Sequence, residues 1–344
     1  MNRLSLDTLE QILARAKSAR ILVVGDLMLD VYLRGSASRI SPEAPVPVVR
    51  VTEEWRALGG AANVASNVVA LGAACSIIGC VGKDNAGREL RRELADCMIE
   101  TEGLLELADR PTTVKTRVLA RHHQVARYDI ETEDDIEPAT AAQVIDTVAR
   151  LIERADALVL EDYNKGLLTP ELIADCVRLA RERGIPIVVD PKFRSFFAYR
   201  GATVFKPNLV ELTAALRERL QPLDPAWMAR TRAELGCEHL LVTLGEDGMA
   251  LAAADGEFLH VPTMARSVYD VSGAGDTVTA ALAVSLAAGA TIQEAAVLAN
   301  HAAGVEVGKA GVATVSPDEL REVITEHHAA RLQTIKGETQ TWRI

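Results

Sequence analysis

Several marks of large protein classes are missing from this sequence. Its five cysteines (Cys75, Cys80, Cys97, Cys176 and Cys237) are scattered, odd in number and without a C-x-x-C pair. That pattern reads as reduced thiols rather than a disulfide frame or a zinc site. The longest apolar run, Val278–Ala290, is too short and too rich in small residues to span a bilayer, and residues 1–20 lack the apolar core of a signal peptide. A cytoplasmic protein with no membrane contact is expected. Basic residues are outnumbered 37 to 48, leaving a net charge of −11. This deficit argues against nucleic acid as a partner, because a phosphate backbone needs clustered Lys and Arg. A phosphorylated small molecule needs only a local basic patch and is not excluded. The segment Gly304–Lys309 has the wrong spacing for a P-loop and is followed by Ala310. Gly25-Asp26 stands where a dinucleotide-binding G-x-G-x-x-G would begin. No H-e-x-x-H or G-x-S-x-G pattern occurs, so zinc and serine hydrolases are disfavoured.

What the chain does contain is alternation. Of its 344 residues, 49% are apolar and 25% charged, which suits a packed core. Strand-like runs at Arg20–Gly25, Cys75–Val81, Ala157–Leu160, Pro186–Asp190 and Leu240–Leu244 alternate with helical stretches. The helices are read at Ala57–Leu71, Gly87–Asp96, Thr169–Arg183, Ala274–Ala288 and Ile292–Val307. The pattern predicts an α/β fold with a mainly parallel sheet covered on both faces, residues 1–344 forming a single domain. Ligands of such sheets bind beyond the carboxyl ends of the strands, where Asp26, Asp162 and Asp190 fall. Two β-rich regions interrupt the alternation, at about 31–51 and 112–130, the second a hairpin around Arg121-His122-His123. Together they predict a small β-sheet lid that closes over a substrate or pairs with a second subunit.

Four motifs carry candidate chemistry. In Asp270-Val271-Ser272-Gly273-Ala274-Gly275-Asp276 a glycine turn enters an apolar helix. Its free N–H groups and helix dipole suit an anion, and Asp276 could take a proton from a hydroxyl; a G-x-G-D alone reads first as an N-cap, and the two bracketing aspartates with the small-residue helix turn the reading to function. In Gly59-Gly60-Ala61-Ala62-Asn63 the glycines permit close backbone approach and Asn63 can bond sugar hydroxyls; tight helix–sheet packing explains the same residues as well. Asn208 and Glu211 share one face of a turn and could hold Mg²⁺, directly or through water, although a capping box is the stronger reading of that pair alone. Thr243-Leu244-Gly245-Glu246-Asp247-Gly248 follows a strand and could line a nucleotide, or simply be a turn.

The Gly59–Asn63 and Asp270–Asp276 segments, in this order and separation, resemble the two signatures of the ribokinase-like (PfkB) carbohydrate kinases over roughly residues 20–320. The resemblance implies a three-layer α/β/α domain with a β-sheet lid, ATP as phosphoryl donor and Mg²⁺. By position it implies Asp276 as the base and Gly273, Ala274 and Gly275 as the anion hole. Asn208 and Glu211 would organise Mg²⁺ and the phosphates, while Thr243, Gly245, Gly248 and Asn300 would contact the nucleotide. Gly25–Asp30, Ser38–Val48, Arg110–Arg117 and Asp190-Pro191-Lys192 look further like the branch acting in ADP-heptose synthesis. That branch phosphorylates C1 of D-glycero-β-D-manno-heptose 7-phosphate for lipopolysaccharide cores. No nucleotidyltransferase H-x-G-H occurs before Ile344, so the likeness is to its single-function form. Asp26, Asp30, Gly59, Gly60, Asn63 and Asp162 are then expected around the sugar. Lys115, Arg117, Arg121, Arg127 and Lys192 are candidates for its 7-phosphate. A homodimer through the lids is expected, because exposed strand edges are usually covered. Another sugar kinase of the family, or a non-catalytic sugar-phosphate sensor, are the competing readings.

Overall fold

The computed structural model describes residues 4–121, 123–265 and 268–327; His122 lies outside them. The elements, in chain order, are α1 (Leu6–Ala16), β1 (Arg20–Gly25), β2 (Leu27–Ile40), β3 (Pro47–Gly60), α2 (Ala61–Ala70), β4 (Ala74–Gly82), α3 (Asn85–Asp96) and β5 (Glu100–Leu107). There follow β6 (Thr113–Ala120), β7 (His123–Ile130), α4 (Pro138–Leu151), β8 (Ala157–Glu161), α5 (Pro170–Arg183), β9 (Ile187–Asp190) and β10 (Val204–Phe205). The chain continues through α6 (Leu209–Leu216), α7 (Pro225–Leu235), β11 (His239–Thr243), β12 (Met249–Ala252), β13 (Phe258–Val261), α8 (Ala274–Ala287) and α9 (Ile292–Glu306).

The larger sheet has nine strands in the order β13-β12-β11-β10-β9-β8-β1-β4-β5. Strands β11 through β5 along that order pair in parallel, and β12 and β13 add an antiparallel edge. Both faces are buried, as a parallel sheet requires. Along β1, Ile21 and Val23 pack into the cluster that also holds residues of α1, α2, α3, α8 and α9. Leu22 and Val24 point the other way, into the cluster holding residues of α4, α5, α6 and α7. This strict alternation of a wholly apolar strand fixes the three layers.

A second sheet has four strands in the order β3-β2-β6-β7. The β-rich regions 31–51 and 112–130 fall within it, but the strands are longer than the sequence suggested. β2 and β3 each run for 14 residues and pair from Leu27↔Gly60 out to Ile40↔Pro47. The expected helix 57–71 is therefore corrected at its start: Ala57–Gly60 belong to β3, and α2 begins at Ala61. The reason is local. Gly60 takes φ +57°, and a Cβ on it would lie 2.6 Å from the Asp26 carbonyl oxygen, so a glycine makes the turn from strand to helix.

Candidate active site

The site gathers at the carboxyl ends of β1, β8 and β9, under the base of the four-stranded sheet. Asp276 stands in the first turn of α8, whose N-cap Gly273 has φ +95°. A Cβ at Gly273 would sit 2.9 Å from Asn63 Nδ2, so the loop passes α2 only because that residue is glycine. Asn63 Nδ2 donates to Asp276 Oδ2 at 2.7 Å and the Tyr163 hydroxyl donates to Oδ1 at 2.8 Å. The Asn63 amide is itself held by Asn67, which donates to its Oδ1 at 3.1 Å and accepts from Thr277. Asp276 is 4% exposed. Burial raises its pKa to about 6 against the lowering pull of the Asn63 and Tyr163 hydrogen bonds. An ionisable carboxylate with both oxygens aimed by donors, at a helix N-terminus, is arranged to accept a proton near neutral pH. In the loop before it, Asp270 accepts from the Ser272 N–H at 2.9 Å, so it organises the turn. Ala274 N–H reaches the Val271 carbonyl at 3.4 Å. Gly275 opens the first turn of α8, where N–H groups lack helical partners.

Around Asp276 lies a group of charges that the sequence alone did not bring together. Glu161 ends β8, is fully buried, and has neither oxygen hydrogen-bonded among the described residues. One ligand atom from each of Glu161, Asp190 and Asp276 lies within 4.8 Å of the others. Burial and the neighbouring Asp190 push Glu161 well above the usual carboxylate range. Lys206 pairs with Asp190 at 2.8 Å in full burial, and the cost of burying its ammonium is outweighed by Asp190, Glu161 and Glu211 together. Lys192 contacts Glu211 and sits 4.9 Å over the Tyr163 ring.

A cavity of about 720 Å³ opens on the other side of the Asp270–Asp276 loop. It is lined by Asn208, Thr243, Gly245, Gly248 and Asn300, together with Val271, Ala274 and Gly275. Five of the six residues expected at the nucleotide and its phosphates thus share one cleft with the Gly273–Gly275 turn, and Glu211 is not part of its lining. Asn300 Nδ2 donates to the Pro262 carbonyl at 2.8 Å, which ties α9 to that wall. Asn208 and Glu211 form a complete capping box on α6, with Asn208 N–H donating to Glu211 Oε2 at 2.8 Å and Glu211 N–H to Asn208 Oδ1 at 2.9 Å. Both Glu211 oxygens therefore have protein partners.

The expected sugar residues divide. Asp30 is buried on β2, bonded to Arg117 at 2.6 Å, and a Cβ on Gly59 would meet its Oδ2 at 2.8 Å. Gly60 lies beside Met28 and Tyr163, so the β2 face carrying Met28 and Asp30 turns toward Tyr163 and Asp276. The Asp26 carboxylate accepts from the N–H groups of Tyr163 (2.8 Å), Lys165 (2.9 Å) and Leu167 (3.3 Å) of the 163–167 loop. Asp162 accepts from Asn164 N–H at 2.7 Å and from the Tyr199 hydroxyl at 2.8 Å. Both carboxylates shape the loop that presents Tyr163. The basic candidates do not form one patch either. Lys115 approaches Glu131 at 3.8 Å, Arg127 pairs with Asp129 while half exposed, and Arg121 stands exposed at the hairpin turn with φ +58°. Lys192 lies apart from these three, on the Glu211 side.

The fold and this site define a carbohydrate kinase. A family model described as pfkB family carbohydrate kinase matches residues 18–319, and the chain belongs to that family. Curated relatives named Bifunctional protein HldE include one from Citrifermentans bemidjiense, 46% identical over 90% of this chain and 64% of its own length. Another, from Geobacter sulfurreducens, is 45% identical over 90% of this chain and 64% of its own length. The chain thus spans a little under two thirds of those relatives. Phosphofructokinase-2 from Escherichia coli superposes with a TM-score of 0.74 at 21% identity, over 90% of this chain and 99% of that one. Arabidopsis thaliana ribokinase, complexed with ribose and ATP, gives 0.70 at 19%, over 89% and 98%. Their likeness is one of fold. Among the described residues no helix is long and apolar enough to cross a membrane.

Proposed function

We propose that this kinase transfers the γ-phosphoryl group of ATP to the C1 hydroxyl of D-glycero-β-D-manno-heptose 7-phosphate, in the cytoplasm, giving the 1,7-bisphosphate. The observation that carries the reading is Asp276, buried and gripped by Asn63 and Tyr163 beside the Gly273–Gly275 turn. Asp276 takes the proton from the anomeric hydroxyl as that oxygen attacks the phosphorus. The amides opening α8 face the charge that develops on the transferred oxygens. ATP occupies the cleft of Asn208, Thr243, Gly245, Gly248 and Asn300. Hard oxygen donors in this region suit Mg²⁺. Because Glu211 already bonds Asn208 N–H and Lys192, it would hold the ion through water. When bound, Mg²⁺ neutralises phosphate charge. Glu161, with two unpaired oxygens beside Asp276, gains partners when a polyhydroxylated acceptor enters.

The choice of heptose rests on the Ser38–Val48, Arg110–Arg117 and Asp190–Lys192 segments. The four-stranded sheet acts as the lid, and Asp30 with Asn63 holds the sugar. A homodimer through the lids follows from β7, an edge strand bearing exposed Val125, Tyr128 and Ile130. The test is a panel of sugars and sugar phosphates assayed with ATP and Mg²⁺. Heptose 7-phosphate should give the highest kcat/KM by at least tenfold. An equal or better value for a hexose phosphate or ribose would overturn the assignment, and acceptor-independent binding without turnover would favour the sensor.

A further inference from the structure

One buried donor on the lid has no role in this account. Tyr32 lies on β2 two residues beyond Asp30, so both side chains share a face. The side chain is 5% exposed, yet its hydroxyl has no hydrogen-bond partner among the described residues. A buried donor left without a partner destabilises the fold that holds it. The ring is fixed on both sides. Trp55, its cross-strand neighbour on β3, stacks on it at 4.9 Å and 2°. The guanidinium of Arg117, its neighbour on β6, lies 5.2 Å from its centroid. Arg127 on β7 continues the row beyond Arg117. The hydroxyl therefore cannot swing away to find water without breaking an aromatic stack and a cation–π contact. Burial raises its pKa to about 12, and Asp270 in the catalytic loop is close enough to add to the rise. Tyr32 shares its β2 face with Asp30, and that face turns toward Tyr163, so the orphan hydroxyl belongs to the substrate side of the small sheet.

Its position says which part of a ligand. Along an extended strand Tyr32 is roughly 6.6 Å farther from the sheet junction than Asp30. With Asp30 on the sugar ring and Asp276 at the reacting hydroxyl, that distance matches the reach of an exocyclic chain ending in a phosphate. We propose that Tyr32 is a substrate-positioning residue whose hydroxyl donates to an oxygen of the acceptor's phosphorylated end, in one row with Arg117. This rests on the reading that the acceptor is a sugar phosphate. The clamped ring holds the donor in place before binding, and it selects for acceptors long enough to reach it.

Tyr32→Phe removes the hydroxyl and keeps the stack. The variant and the wild type are compared for KM of heptose 7-phosphate, KM of ATP, kcat, the inhibition constant of unphosphorylated heptose, and melting temperature. The proposal expects KM for the phosphosugar to rise about 5–30-fold, with kcat, KM for ATP and the inhibition constant of unphosphorylated heptose within twofold, and melting unchanged or higher, since an orphaned donor is removed. A KM for the phosphosugar within twofold of wild type overturns it. An equal rise for the unphosphorylated sugar places the hydroxyl on the ring and overturns it too, as does a variant that melts far lower. If the wild type phosphorylates no sugar phosphate, the functional reading itself has failed. If it does and the variant matches it, only the role of Tyr32 has.

Discussion

Glu306, at the end of α9, offers a test that does not depend on the substrate. It is fully buried, its carboxylate oxygens make no hydrogen bond among the described residues, and Oε1 lies 3.4 Å from where a Cβ on Gly273 would be. Burial, with Asp270 and Asp276 nearby, raises its pKa from 4.5 to about 8; the dipole of the nearby Ala313 N–H, which does not reach hydrogen-bond geometry, and Lys309 offset only part of this. Folded protein therefore keeps this proton where unfolded chain has lost it. Stability that is full below pH 4.5 is lost progressively as pH climbs toward 8, and levels off above. Each pKa unit is worth about 1.4 kcal/mol, so the interval from pH 5 to 8 carries at most about 3.5 kcal/mol, and solvent screening near the cleft reduces that to about 2 kcal/mol. Glu306→Gln removes the titration while keeping the shape. Its amide has a cost of its own, but one that does not vary with pH. Thermal or urea midpoints of both proteins, taken from pH 5 to 8, should diverge in favour of the variant by about 2 kcal/mol as pH rises. Parallel curves across that range would refute the reasoning and mean that Glu306 is ionised or solvated in the fold.

Other outcomes follow from the same geometry. Asp276→Asn should lower kcat by about 10²–10⁴-fold with little change in the KM values. In the wild type, activity should fall as pH drops through about 6, since the base must be ionised and its pKa is about 6. Tyr163→Phe removes a hydrogen bond that lowers that pKa, so the acidic limb should move to higher pH, seen in a kcat/KM profile. Lys206→Met leaves Asp190 buried and unpaired, which should destabilise the fold by about 3–5 kcal/mol in chemical denaturation. Gly273→Ala forces a side chain into φ +95° and against Asn63, and should abolish turnover while the larger sheet stays folded by circular dichroism.

The layered fold was legible because β1, β8 and β9 are short runs of apolar residues separated by periodic helices, a local signal. Asp276 was legible because glycines and a carboxylate crowd a helix start. What stayed hidden depended on contacts distant in sequence. Asp26 and Asp162 stand after strands, as ligands do, and only the fold brings the Tyr163 and Lys165 N–H groups onto Asp26 and the Tyr199 hydroxyl onto Asp162. Tyr163 escaped notice because its partner Asp276 is 113 residues away, and Asn67 because Thr277 is 210 away. The Asn208–Glu211 pair was ambiguous in sequence, and the capping box it forms does not remove it from the cleft. Tyr32 had no signal of its own: its meaning lies in two cross-strand neighbours, Trp55 and Arg117.

β2 and β3 leave the main body side by side at Leu27 and Gly60, and the bond from Ala61 N–H to the Asp26 carbonyl at 3.0 Å crosses their base. Two residues later comes Asn63, which donates to Asp276. The root of the small sheet and the Asp276 carboxylate thus hang on one stretch of backbone. If the small sheet swings, the same displacement must tug on the residue that aims the proton acceptor, so closure and activation become one event rather than two. New acceptor preferences can then arise at the far ends of those long strands, while their roots tolerate almost no change.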